Sequence, residues 1–192
     1  METCAKAILD ALQPLRRKKS SLIIAIDGRC ASGKTTLAAR LQALTDAQVI
    51  HLDDFFLRPE QRSTERRATP GENVDWERLT SEVLTPLSLG QAFTYRPFDC
   101  HTLGFKNAIT GGPAALTILE GTYSCNSHLW SYSDLHIFLT ISPEEQRRRI
   151  AQRNTPEDAK RFYNLWIPLE ERYFAASDVA ARCDILCDGH AK

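Results

Sequence analysis

An excess of either charge is missing from this chain: 24 Lys and Arg stand against 24 Asp and Glu over 192 residues. A general surface for polyanions is therefore not expected, and nucleic acid is not a predicted partner. No apolar run approaches the roughly 18 residues needed to cross a bilayer, so no membrane contact is predicted either. Cysteine is sparse, and Cys4, Cys30, Cys100, Cys125, Cys183 and Cys187 make no C-x-x-C pair. That excludes a disulfide-stapled secreted domain and points to a reducing, cytoplasmic setting. Repeats, low-complexity tracts and linkers are lacking too, and at roughly 150 residues per domain the chain reads as one domain over 1–192. With 43% hydrophobic residues it has enough apolar material for a core rather than for disorder.

What is present alternates. Strand-length apolar runs recur at Leu22–Ile26, Val49–Leu52, Leu116–Leu119, Leu135–Leu139 and, more weakly, Ile185–Cys187, with helical patterns between them. This predicts an α/β fold with an open, mostly parallel sheet of about five strands flanked by helices. Residues 1–20 read as a packed amphipathic helix, with Ala5, Ile8, Leu9 and Leu12 on one stripe and Pro14 ending it, rather than as a signal peptide. The basic run Arg16–Lys19 reads as a solvated edge. A long insert over 54–113 holds a helical stripe of Trp76, Leu79, Val83 and Leu87, and insertions of this length usually build a site.

Directly after the first apolar run, Gly28-Arg29-Cys30-Ala31-Ser32-Gly33-Lys34-Thr35 fits GxxxxGK[ST], and Leu37, Leu41 and Leu44 then open a helix. Gly28 and Gly33 let the backbone wrap a polyphosphate in conformations that a Cβ would obstruct. The backbone of Ala31, Ser32, Gly33 and Thr36 would complete the cradle. Lys34 supplies a point charge to the terminal phosphates, Thr35 offers a hydroxyl to Mg²⁺, and the helix aims its positive end at the anion. The predicted cofactors are ATP, as phosphate donor, and Mg²⁺, on a P-loop NTPase fold.

The second run ends in His51-Leu52-Asp53-Asp54-Phe55-Phe56, at the sheet edge where ligands bind. Asp53 can take a proton from an attacking hydroxyl or hold Mg²⁺. Asp54 reads as a turn or helix cap, and His51 and the phenylalanines as packing. Glu120, at the end of the third run, is a further Mg²⁺ candidate or else a helix cap. Ser142-Pro143-Glu144-Glu145 starts a helix carrying Arg147, Arg148, Arg149 and Arg153, of which Arg149 and Arg153 share a face. Over 142–165 this is an Arg-rich lid or a solvated basic face. Phe93 to Asp99 alternates aromatic and polar residues, as either a stacking surface or a satellite core. Arg58, Arg62, Arg66 and Arg67 either close over a ligand or face solvent.

This P-loop, followed by Asp-x-Phe-aromatic, Asn73-Val74-Asp75, the Tyr95 loop, Glu120-Gly121 and the Arg-rich helix, resembles the uridine kinase family from about Leu22 to Arg161. The resemblance implies transfer of the ATP γ-phosphoryl group to the 5′-hydroxyl of a pyrimidine nucleoside. It implies Asp53 as base, Asp75 on the ribose hydroxyls, Tyr95 on the nucleobase, Glu120 on the metal, and Arg149 and Arg153 in the lid. Phe56 replaces the final Tyr of the family motif, and Arg96 follows Tyr95 in a loop with shifted His spacing; both join Asp75 and Tyr95 as expected acceptor contacts.

Another small alcohol, pantothenate-like or sugar-like, is the alternative acceptor on the same chemistry. A nucleotide-dependent switch or ATPase is the alternative class, although no Asn-Lys-x-Asp segment for guanine is present. A homo-oligomer is compatible with the sequence. Cys30, inside the cradle, is expected to be a thiol whose modification responds to nucleotide.

Overall fold

The computed structural model describes residues 1–190. Its centre is a sheet of five parallel strands, β1 Leu22–Gly28, β2 Gln48–His51, β3 Leu116–Glu120, β4 Leu135–Thr140 and β5 Ile185–Asp188, in the order β2-β3-β1-β4-β5. The predicted runs fall on these strands, each boundary moving by no more than two residues. Near-continuous apolar strands suit a parallel sheet covered on both faces. Alternation then divides the side chains. Leu22, Ile24 and Ile26 of β1 join Ile118 and Ile137 under α1 (Glu2–Arg16) and α2 (Lys34–Thr45). Ala25, with Leu119 and Phe138, faces the opposite core, built from Val83 and Leu84 of the insert and Tyr173 of the helix Ile167–Ser177.

Proline placement departs from expectation. Helix α1 runs through Pro14 to Arg16 instead of stopping there, with Cys4, Ala5, Ile8 and Leu12 on its buried face. Two further prolines sit in longer helical stretches, each just after a π-helical turn: Thr80–Leu84 precedes Pro86, and Phe162–Trp166 precedes Pro168. A wider turn takes up the carbonyl that a proline ring would strike and that its missing N–H would leave unpaired. The predicted stripe over 76–88 is thereby kept, with Leu79 and Val83 buried.

The insert between β2 and β3 also contains two short antiparallel ribbons, Phe93–Tyr95 with Ile109–Gly111 and Phe98–Asp99 with Gly104–Phe105. Among the described residues no helix is long and apolar enough to cross a membrane.

Candidate active site

The site lies at the carboxyl ends of β1, β2 and β3, where strand order reverses beside β1 and a crevice opens. At the end of β1 the chain turns through Gly28 (φ 133°), Ala31 (φ 61°) and Gly33 (φ 103°) before entering α2 at Lys34. A Cβ at Gly28 would strike the Leu139 carbonyl of the neighbouring strand. Gly28→Ala therefore meets both a disfavoured φ and a rigid backbone atom. It is expected to destabilise the fold by about 1–3 kcal/mol or more, read as a lower urea midpoint; an unchanged midpoint would contradict this placement.

The Lys34 Nζ donates to the carbonyls of Gly28 (2.8 Å) and Arg29 (2.9 Å), which folds the amine over the cradle. Cys30, Ala31, Gly33, Lys34, Thr35 and Thr36 all line a cleft of about 1080 Å³. Gly28 and Ser32 do not line it: both are buried behind the loop and shape it from within. Thr35 Oγ1 donates to Glu120 Oε1 (3.1 Å), and Glu120 Oε2 shares a hydrogen bond with His51 Nδ1 (2.8 Å). That bond lifts the His51 pKa, so His51 partners Glu120 rather than serving only as packing.

Asp53 lines the same cleft, in a 3-10 turn (Leu52–Phe55) that follows β2. Its side chain meets solvent at the cleft surface, yet protein crowds it from below, and this desolvation holds its carboxyl above the usual range against the opposing charge of Lys34. Glu120 and Asp54 push the same way. A hydroxyl and two carboxylates thus gather beside the cradle. Among the described residues there is no cluster of three or more His, Cys, Asp or Glu able to cage a metal. This donor set fits Mg²⁺, which takes one or two carboxylates and completes its shell with phosphate and water.

Two buried acids beneath the loop were not anticipated. Asp27 accepts from the backbone N–H groups of Gly28 (2.6 Å), Tyr123 (3.1 Å) and Cys125 (2.9 Å) and from the Tyr173 hydroxyl (2.9 Å). Burial raises its pKa against those donors. Glu170 accepts from Cys30 N (3.0 Å) and from Gln146 Nε2 (2.7 Å), which also donates to the Cys30 carbonyl. Together they bind the cradle to the loop after β3 and to the helix Ile167–Ser177.

The same surroundings set the chemistry of Cys30, which lines the cleft. Burial and the neighbouring Glu170 push its thiol up to about 12, the reverse of an activated thiolate. Iodoacetamide at pH 8 is expected to label Cys30 far more slowly in the folded protein than in urea, with or without nucleotide; equal folded and unfolded rates would contradict this.

The arginine-rich helix Pro143–Arg153 sends Arg149 and Arg153 to the cleft. Arg149 is already engaged, donating to the carbonyls of Ala31 (3.2 Å) and Gly189 (2.9 Å) and to Glu145 (2.8 Å). Arg153 lies over the Phe162 ring. Phe56 also lines the cleft, its ring 5.8 Å from that of Trp166, which shares a helical turn with Phe162.

Three expected acceptor contacts do not meet the cleft. Asp75 is fully buried: Oδ1 caps the next helix through Arg78 N (3.2 Å), and Oδ2 lies 3.5 Å from Arg58 Nε. Tyr95 is buried against Phe55 and donates to Asp54 Oδ2 (3.0 Å). Arg96 donates to the carbonyls of Lys106 and Phe105, outside the cleft. Phe93, Tyr95 and Phe98 are all buried, and Phe93 and Tyr95 join the core that holds Val83 and Leu84, so the aromatic face of the alternating stretch is turned inward.

No protein-family model matches the chain, and no curated protein matches it. Solved structures do. A candidate fructose transport system kinase from Silicibacter sp. TM1040 superposes with a TM-score of 0.70 at 24% identity, over 95% of this chain and 96% of the other. A candidate uridine kinase from Bacillus stearothermophilus gives 0.65 at 20%, over 95% and 100%. A candidate P-loop kinase with a circular permutation, from Saccharomyces cerevisiae, gives 0.65 at 12%, over 96% and 98%. The glycine-rich turn between β1 and α2, the five-stranded parallel sheet and these likenesses agree: the chain has the P-loop kinase fold.

Proposed function

We propose that this protein is a Mg-ATP-dependent kinase of a small alcohol, with Asp53 as the general base. The observation that carries this reading is the meeting of Lys34, Thr35, Glu120 and Asp53 in one cleft. A switch needs a cradle and a metal ligand; a carboxylate facing the place of the incoming group, with its pKa held up, is what an alcohol acceptor requires.

In the transfer, the acceptor oxygen bonds to the γ-phosphorus while the bond from that phosphorus to the β,γ-bridging oxygen breaks. ADP keeps the electron pair and the hydroxyl proton passes to Asp53. Lys34 and the loop N–H groups hold the phosphates in line, and Arg149 and Arg153, which line the same cleft, offer positive charge as negative charge spreads over the transferred oxygens. Mg²⁺, held by Thr35 with Glu120 and Asp53 near it, would supply charge neutralisation on the phosphates.

The pyrimidine nucleoside suggested by the resemblance rests on Asp75 and Tyr95, and neither lines the cleft. What still favours a flat ring is the Phe56 and Trp166 wall. The test is ADP release from Mg-ATP with and without a panel of nucleosides, sugars and hydroxy acids. A kinase releases ADP in proportion to added acceptor, whereas a rate indifferent to every alcohol would favour the switch.

A further inference from the structure

Segment 58–78 contains five arginines, and the structure sorts them by location. Outside the cleft each meets a carboxylate: Arg58 lies 3.2 Å from Glu60, Arg66 grips Glu77 through both terminal nitrogens (2.7 Å), and Arg78 grips Glu82 (2.9 and 3.0 Å). Among the described residues, the two that line the cleft meet none. Arg62 donates Nε to the Leu57 carbonyl (2.9 Å), with Nη2 3.7 Å from the Cys100 sulfur. Arg67, which is exposed, has neither an ion pair nor a side-chain hydrogen bond among the described residues. In a segment where carboxylates neutralise every other guanidinium, the cleft is where they are withheld.

The nucleotide does not account for these two charges. Its phosphates are served by Lys34 and the loop, with Arg149 held at that loop by the Ala31 carbonyl and Arg153 on the same helix. Arg62 and Arg67 instead come from the insert, and Cys100, which touches Arg62, feels the charges of both Arg62 and Asp53. The cationic side of the cleft therefore adjoins the carboxylate that would take the acceptor proton, and Phe56 with Trp166 supplies an apolar wall. A neutral acceptor would leave the half-buried Arg62 and the exposed Arg67 with water as their only partner for charge. An anion would meet their planar forks with charge-assisted hydrogen bonds.

We infer that the acceptor is a hydroxylated acid, an alcohol carrying a carboxylate or phosphate ester that Arg62 and Arg67 bind while its hydroxyl faces Asp53. This rests on the kinase reading above and narrows its substrate class.

The test uses the full chain and matched acceptors: glycerate, glycerol 3-phosphate and glycerol, then ribose 5-phosphate and ribose, with uridine alongside. Calorimetry measures their binding to the MgADP-loaded protein, and turnover is measured with Mg-ATP. An anionic member is expected to exceed its neutral partner in kcat/KM. The carboxylate and phosphate arms identify which group is read. Arg67→Ala and Arg62→Ala are each expected to lower kcat/KM for that anionic acceptor about ten- to a hundredfold, mainly through KM. MgADP affinity should be retained, and Arg67→Lys should recover part of the loss. The inference is overturned if neutral members or uridine are preferred, if no anionic member binds the MgADP-loaded protein, or if the variants lower anionic and neutral acceptors alike. Failure of the wild-type protein to bind MgADP would instead remove the kinase reading itself.

Discussion

Lys34→Ala is expected to remove nucleotide binding and turnover together. The amine is held over the cradle by the Gly28 and Arg29 carbonyls. Charge-assisted hydrogen bonds contribute about 1.5–3 kcal/mol each, so Mg-ATP affinity should fall at least about tenfold. Because the same charge faces the phosphoryl oxygens as the bond breaks, kcat should fall by about a further 10²–10³. Two thermal scans make the test specific. Without nucleotide the variant should still melt cooperatively but below the wild type, since two hydrogen bonds to loop carbonyls and the countercharge to Asp27, Asp53 and Glu170 are lost. The upward shift that Mg-ATP gives the wild type should disappear. A variant that keeps this shift would contradict the place given to Lys34.

Asp53→Asn separates chemistry from binding. The amide keeps the size of the side chain but cannot accept the hydroxyl proton, so kcat should fall by about 10²–10⁴ while Mg-ATP affinity changes little. Removing a carboxylate near Glu120 also relieves repulsion, which works against any loss of nucleotide. The wild-type pH profile supplies a second readout. A base acts when deprotonated, and Asp53 is held above the ordinary carboxylate range, so the acid limb of kcat/KM should lie above that range and activity should fall as pH drops through it. In Asp53→Asn that limb should be gone. Equal losses of ATP affinity in the two variants would undo the division of roles between Lys34 and Asp53.

The parts of this site legible in the sequence are those whose determinants are local. The cradle is read from one strand, one turn and one helix start, because glycine spacing and apolar periodicity act over a few residues. Asp53 and Glu120 are readable because one closely follows and the other ends a strand of a parallel sheet, and that edge faces the crevice. The unread residues act across long separations. Asp27 takes its donors from Tyr123, Cys125 and Tyr173, the last 146 positions away, and Glu170 reaches Cys30 over 140. Nothing beside Asp27 in the chain distinguishes a buried hub from a polar strand end.

Tyr95 illustrates a different limit. Alternation of aromatic and polar residues states that one face is apolar, without stating whether that face meets a ligand or the insert's own core. The ribbon pairing Tyr95 with Ile109 turns it inward, beyond the reach of any local pattern. The basic stretch divides likewise: Arg66 and Arg67 are adjacent, yet one grips Glu77 and the other lines the cleft.

The most direct measurement follows the phosphoryl group itself. With ATP labelled in the γ position and the acceptor panel present, the label is predicted to pass into an organic phosphate ester, one for each ADP formed, and to remain in ATP when Asp53 is Asn. Label recovered only as inorganic phosphate, at a rate no alcohol alters, would contradict a kinase with its base at Asp53.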